Sequence, residues 1–165
     1  MESGAQPILN YSILDKVLEV SSYILLIGYW MMIITSYADL PNKIPIHFNA
    51  LGKVDHYSIK NSIFLLPMIG SFLTVIFTFL SRNPSNAHFK LPPNAENPEL
   101  QFRLMARMLL WVKLSILLVF ILIDYRTILI AKGNAEGLGG LFLPFFLGII
   151  FVPIGYFSFR LNKIR

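Results

Sequence analysis

Four long apolar runs leave this chain little choice of fold. Val20 to Ala38, Ser62 to Leu80 and Leu138 to Phe159 each run without a single charge. Met108 to Ile123 is broken only by Lys113. About 20 apolar residues in a helix cross a hydrocarbon core of about 30 Å. The three uncharged runs meet that length directly, and the fourth does once Leu104–Arg107 and Asp124–Ala131 carry the helix into the headgroups. The runs are continuous, whereas barrel strands would be short and alternating. The expectation is an all-α integral membrane protein, a four-transmembrane-helix bundle over residues 1–165 as one domain. Its helices fall at about 20–38, 62–80, 104–131 and 138–159.

Composition agrees. Only 14% of residues are charged, against about 25% in a soluble domain, which argues against a soluble enzyme or a disordered tail protein. The net charge of +5 reads as a topology signal, because basic residues collect at cytoplasmic helix ends. Lys16, Arg82, Lys90, Arg103, Arg107, Arg160, Lys163 and Arg165 fall on one side of a four-helix chain. Lys43, Lys53, Lys60, Arg126 and Lys132 fall on the other. The excess of eight over five predicts both termini in the cytoplasm. No clustered basic face calls for nucleic acid. The absence of Cys excludes disulfides, thiolate chemistry and Cys-based metal sites. Ser36-Tyr37-Ala38 resembles a small-x-small cleavage site, but the apolar stretch before it is too long and lacks a basic n-region, so no cleavage is expected.

Local signals refine the helices. Asn97-Pro98-Glu99 reads as N-cap, N1 proline and early acid, starting the third helix at Pro98. Glu19 suits a helix N-terminal dipole. Ser81–Asn97, with Pro84, Pro92, Pro93 and the unpartnered His88, reads as an irregular cytoplasmic loop. Lys132–Gly140, with Gly133, Gly137, Gly139 and Gly140, reads as a flexible turn. Pro67, Pro144 and Pro153 are expected to kink their helices. Gly70, Thr74 and Thr78 on the second helix, and Gly148 and Gly155 on the fourth, form small-residue faces. They serve packing within the chain or, alternatively, a homodimer.

The first loop carries the most information. Asp39–Asn61 is longer than the roughly 12–15 residues that structureless connections reach. Ile44, Ile46 and Phe48 alternate with Pro45, His47 and Asn49, an extended segment with one apolar face. Asn49–Gly52 reads as a turn, with Gly52 free to take positive φ. Asp55 leads into the second helix as a cap. His47, Asn49, Asp55 and His56 include metal-ligand types, but at no strong spacing, and no metal or cofactor is expected.

The pattern Leu40-Pro41, Ile44-Pro45, His47-Phe48-Asn49, Gly52, Asp55 and Lys60, followed by an apolar helix with Pro67, resembles a bacterial domain of unknown function. That domain forms the N-terminal part of SdpI-type membrane proteins, among them the immunity protein against the sporulation-delaying killing peptide. The resemblance covers about residues 22–80 and implies a bacterial inner-membrane protein whose first extracytoplasmic loop is the family's hallmark. The C-terminal half of SdpI proteins, with its Gly-Arg and Trp-containing motifs, has no counterpart after Asp124.

The reading that results is a non-enzymatic sensing, immunity or partner-binding module. Beyond its lipids, its partner is an extracytoplasmic peptide, lipid or protein, recognised by His47, Phe48, Asn49, Asp55 and Lys60, with Pro41, Pro45, Gly52 and Pro67 as structural positions. Asp124 is expected to pair with Lys43, His47, Lys53 or Lys60, and Arg126 with Asp39 or Asp55, docking the loop on the third helix; the alternative is that these charges are simply solvated at the helix end. Lys113 is expected to snorkel to the inner headgroups. One alternative is a membrane enzyme or metal-dependent protein acting on lipid through His47, Asp55 and Lys60. Another is a small transporter with Lys113 in a polar path.

Overall fold

A computed structural model describes residues 11–83 and 97–164. The proline-containing segment 84–96, with His88 and Lys90, lies outside them. The order is α1 (Ile13–Tyr37), β1 (Lys43–Phe48), β2 (Val54–Ile59), a 3-10 turn (Lys60–Phe64), α2 (Leu65–Arg82), α3 (Pro98–Ala131) and α4 (Phe142–Lys163). Four helices are long and apolar enough to cross a membrane.

α1 starts well before the charge-free run. Ser12 caps it in a reciprocal box: its hydroxyl accepts from the Asp15 N–H, and the Asp15 carboxylate accepts from the Ser12 N–H. The helix can carry Asp15 and Glu19 into the bundle because other helices supply their partners. Arg107 of α3 donates to Asp15 at 2.7 Å and to the Ser12 hydroxyl at 3.0 Å. Arg82 of α2 donates to Glu19 at 2.8 Å. Glu19 is therefore an inter-helix partner rather than a dipole complement. Tyr11 donates to Ser81, and the Gln101 amide donates to the Ile164 carbonyl oxygen. The start of α1, the end of α2, the start of α3 and the end of α4 thus meet at one end of the bundle, here called the tail end.

α3 begins where the sequence places it. Asn97 accepts from the Leu100 N–H at 3.0 Å, and Pro98 is N1. Its far end is a Schellman close: Gly133, at φ +77°, donates to Ile130, and Asn134 donates to Leu129. α3 is the central helix, packing against α1, α2 and α4. α2 turns Pro67, Gly70, Thr74, Thr78 and Ser81 inward, so its small-residue face packs within the chain. A side chain at Gly70 would press on Leu117 and Phe120 of α3. Pro67 and Pro144 lie in the first turns of α2 and α4, where a helix has no N–H bond to lose; Pro153 is inside α4.

At the opposite end the first loop is a two-stranded antiparallel hairpin, pairing Lys43 with Ile59 and Phe48 with Val54. The register slips between Pro45 and Phe48. The expected alternation therefore fails: Ile44 and Pro45 are both buried, whereas Ile46 is exposed. Asp55 belongs to β2, not to a helix cap; the 3-10 turn that leads into α2 has no side-chain cap. Beneath the hairpin, Ile44, Leu40 and Ile63 pack with Tyr29, Ile33 and Ile128 from the ends of α1 and α3.

Candidate functional site

The hairpin tip is built around Asn49. Its side-chain oxygen accepts from the N–H groups of Leu51 and Lys53 at 2.9 and 3.1 Å, and its carbonyl accepts from Gly52. Gly52 takes φ +73°, as its place in the turn requires. The tip does not stand free. The Gly52 carbonyl accepts from the Leu138 N–H at 2.8 Å, and Lys53 bridges to Gly137. Nε and Nη2 of Arg126 both donate to the Gly137 carbonyl oxygen. A Cβ on Gly137 would collide with the Gly52 carbonyl oxygen. The glycine-rich segment expected to be a flexible turn is instead the dock for the first loop, and glycine is needed there for close backbone approach.

This docking creates a cleft of about 410 Å³ between the hairpin tip and the start of α4. Its walls are largely apolar: Phe48, Leu51, Ile123, Leu138, Phe142 and Phe146. An adjoining, shallower depression of about 650 Å³ shares Leu51, Gly52 and Gly139, and adds Lys53, Arg126, Glu136 and Tyr57. An apolar slot with a charged margin can seat an amphiphile by burying its apolar part. A third cavity, about 190 Å³, lies under β1 and is lined by Asp124.

The five loop residues singled out from sequence do not converge. Phe48 and Asn49 line the cleft, Asn49 also holding the turn. His47 Nδ1 and Asp55 Oδ1 are 2.6 Å apart across the hairpin, both exposed. Lys60 sits 4.6 Å over the Tyr37 ring at the end of α1. It is four residues beyond His56, the partner of His47, or about 13 Å along a strand. Among the described residues no group of three His, Asp or Glu side chains is placed to hold a metal.

The expected docking pairs are replaced by others. Asp124 accepts a hydrogen bond from the Tyr29 hydroxyl of α1, not from a loop lysine. Arg126 bonds the Gly137 carbonyl, not Asp39 or Asp55, and Asp39 pairs with Lys132 at 3.0 Å. Both residues still lie where the first loop meets α3, but apolar burial and backbone carbonyls make the joint. Lys113 does not snorkel. It is 1% exposed, donates to the Thr78 hydroxyl at 3.1 Å and lies 5.4 Å from the Tyr23 ring centre.

Residues that sequence reading missed include the Asp15–Arg107 and Glu19–Arg82 pairs and Gly137. Only the first left a local trace, the Ser12-x-x-Asp15 capping pattern.

Four such helices, with a docked hairpin between the first two, are the frame of a multi-pass membrane protein. Residues 24–70 match the profile of a family described as a domain of unknown function (DUF1648). The match runs from within α1, through the hairpin, into the first turns of α2. No curated protein and no solved structure matches the chain.

Proposed function

We propose that this protein is a membrane recognition module of bacterial inner membranes, with its hairpin end outside the cytoplasm and both termini inside. Its cleft takes the apolar part of an extracytoplasmic peptide, lipid or protein. The observation that carries the reading is the apolar cleft of about 410 Å³, formed where the docked hairpin meets the last turns of α3 and the start of α4. Lys53 and Arg126 beside it offer positive charge to an anionic head. The separation of Lys60 from the His47–Asp55 pair supports binding over catalysis through those residues. The resemblance to SdpI-type proteins extends the reading to immunity, in which the partner is a membrane-active peptide.

The test is photo-crosslinking in cells from a benzophenone side chain at Leu51, on the cleft, and at Ile24, an exposed position on α1. The expected result is an adduct specific to Leu51, lost when Phe142→Asp puts a charge in the cleft. The same adducts from both sites would show bulk lipid contact only and overturn the reading. Sidedness is checked separately, on a background free of native cysteine: an impermeant maleimide should label Lys53→Cys and spare Lys16→Cys in intact cells.

A further inference from the structure

Asp124 is a charge-bearing side chain in an awkward place. It is 4% exposed, on a membrane helix, and its hydrogen bond among the described residues comes from Tyr29. Among the described residues no lysine, arginine or histidine lies within salt-bridge distance of it. A buried carboxylate needs a proton or a cation to offset its desolvation. Polar groups in this position within a membrane protein mark ligand or ion sites.

Asp124 does not face packed side chains alone. It lines the cavity of about 190 Å³ beneath β1, with Thr127 one turn along α3 and Ser62 on the facing 3-10 turn. The remaining wall is apolar: Ile44, Pro45, Ile46, Phe48, Leu66 and Ile123 among others. Ile46 and Leu65, 44% and 59% exposed, form its rim, so the cavity reaches the surface. At about 30 Å³ per water, the space suits a ligand of roughly six or seven heavy atoms. A cavity lined by one carboxylate, two hydroxyl-bearing residues and otherwise hydrocarbon is the complement of an ammonium on a short apolar chain.

We propose that this cavity is a binding site for a small organic amine, with the ligand's ammonium on the Asp124 carboxylate and its hydrocarbon against β1. The site is separate from the cleft at the hairpin tip and does not depend on what that cleft binds.

The experiment uses the full chain in phosphatidylcholine nanodiscs, titrated with n-hexylamine and, separately, n-hexanol, with thermal unfolding as readout. Hexylamine should raise the unfolding temperature saturably, and hexanol should not. Asp124→Asn keeps an oxygen for Tyr29 and should abolish the hexylamine response by removing the charge. Ile46→Trp, which blocks the rim while leaving Asp124 intact, should weaken the response at least tenfold in hexylamine concentration. Equal responses to hexylamine and hexanol, or an Asp124→Asn variant that still responds, would overturn the proposal. So would the absence of any response in the folded native chain, which would mean that a proton alone neutralises the carboxylate. Repeating the titration with phosphatidylethanolamine present identifies the source: a right-shifted curve means lipid amines compete for the site, and an unchanged curve means it prefers a free amine.

Discussion

The two ends of the helix bundle are held by different chemistry. At the tail end, side chains from different helices meet as ion pairs: Asp15 with Arg107 and Glu19 with Arg82. At the hairpin end one ion pair, Asp39 with Lys132, sits at the exposed surface, and the buried joint is made of backbone and hydrocarbon: Gly52 against Leu138, Arg126 on a carbonyl, and Ile44 and Ile63 in the core. Charge pairs fix which helices are neighbours while leaving their details adjustable. Backbone contacts at glycine fix a distance and tolerate no added atom. The cleft and the Asp124 cavity both lie at the hairpin end, where the contacts hold backbone geometry most tightly.

The largest expected effect tests the tail end. Asp15→Ala leaves Arg107, whose side chain is only 24% exposed, without its carboxylate. It should cost about 3 kcal/mol, the low end for a broken buried pair, in the unfolding of the purified protein in detergent. The Asp15→Ala/Arg107→Ala double variant should recover part of that loss. A loss below about 0.5 kcal/mol would mean the pair behaves as a solvated surface bridge, and the contrast between the ends would collapse.

Next in size is Gly137→Ala, whose Cβ must displace the Gly52 carbonyl. A cost of about 2 kcal/mol is expected, together with faster hydrogen exchange at Leu138, whose N–H bonds that carbonyl. Unchanged exchange would show that the dock tolerates what its geometry forbids. Asn49→Ala removes two side-chain bonds at the tip and should cost about 1 kcal/mol, with exchange rising at Leu51 and Lys53 rather than throughout the bundle. Smallest is His47→Ala. Its partner Asp55 is exposed, so stability should move by less than about 0.5 kcal/mol; a larger loss in chemical denaturation would make the hairpin's outer face part of its support.

What is legible in the sequence follows the same division. Long apolar runs reveal helices because lipid imposes a length and a composition on each. The Asn97-Pro98 start of α3 and the positive φ of Gly52 are local events with local signatures. The start of α1 escapes such a reading because a charge-free window ends at Glu19, whereas the real helix tolerates Asp15 and Glu19 through arginines distant in sequence. β2 is hidden because Asp55-His56-Tyr57-Ser58 lacks a buried face: its residues stand at the surface or half-buried, so burial imposes no alternation on them. The site is half visible. Phe48 stands out as apolar in an exposed loop, but its cleft partners Phe142 and Phe146 look like any other residues of a membrane helix.

The clasp between Gly52 and Gly137 also sets a schedule. Its two halves lie on either side of α2 and α3 in the chain, so both membrane helices are synthesised between them. The segment that matches the known family, residues 24–70, supplies one lip of the cleft, and the stretch from Leu138 to Phe146 supplies the other. During synthesis the hairpin must wait, with the cleft side of Phe48 uncovered, until the third helix has been made and the chain has turned back. The cleft is among the last parts of the protein to exist, so an incompletely inserted copy has only one of its two lips.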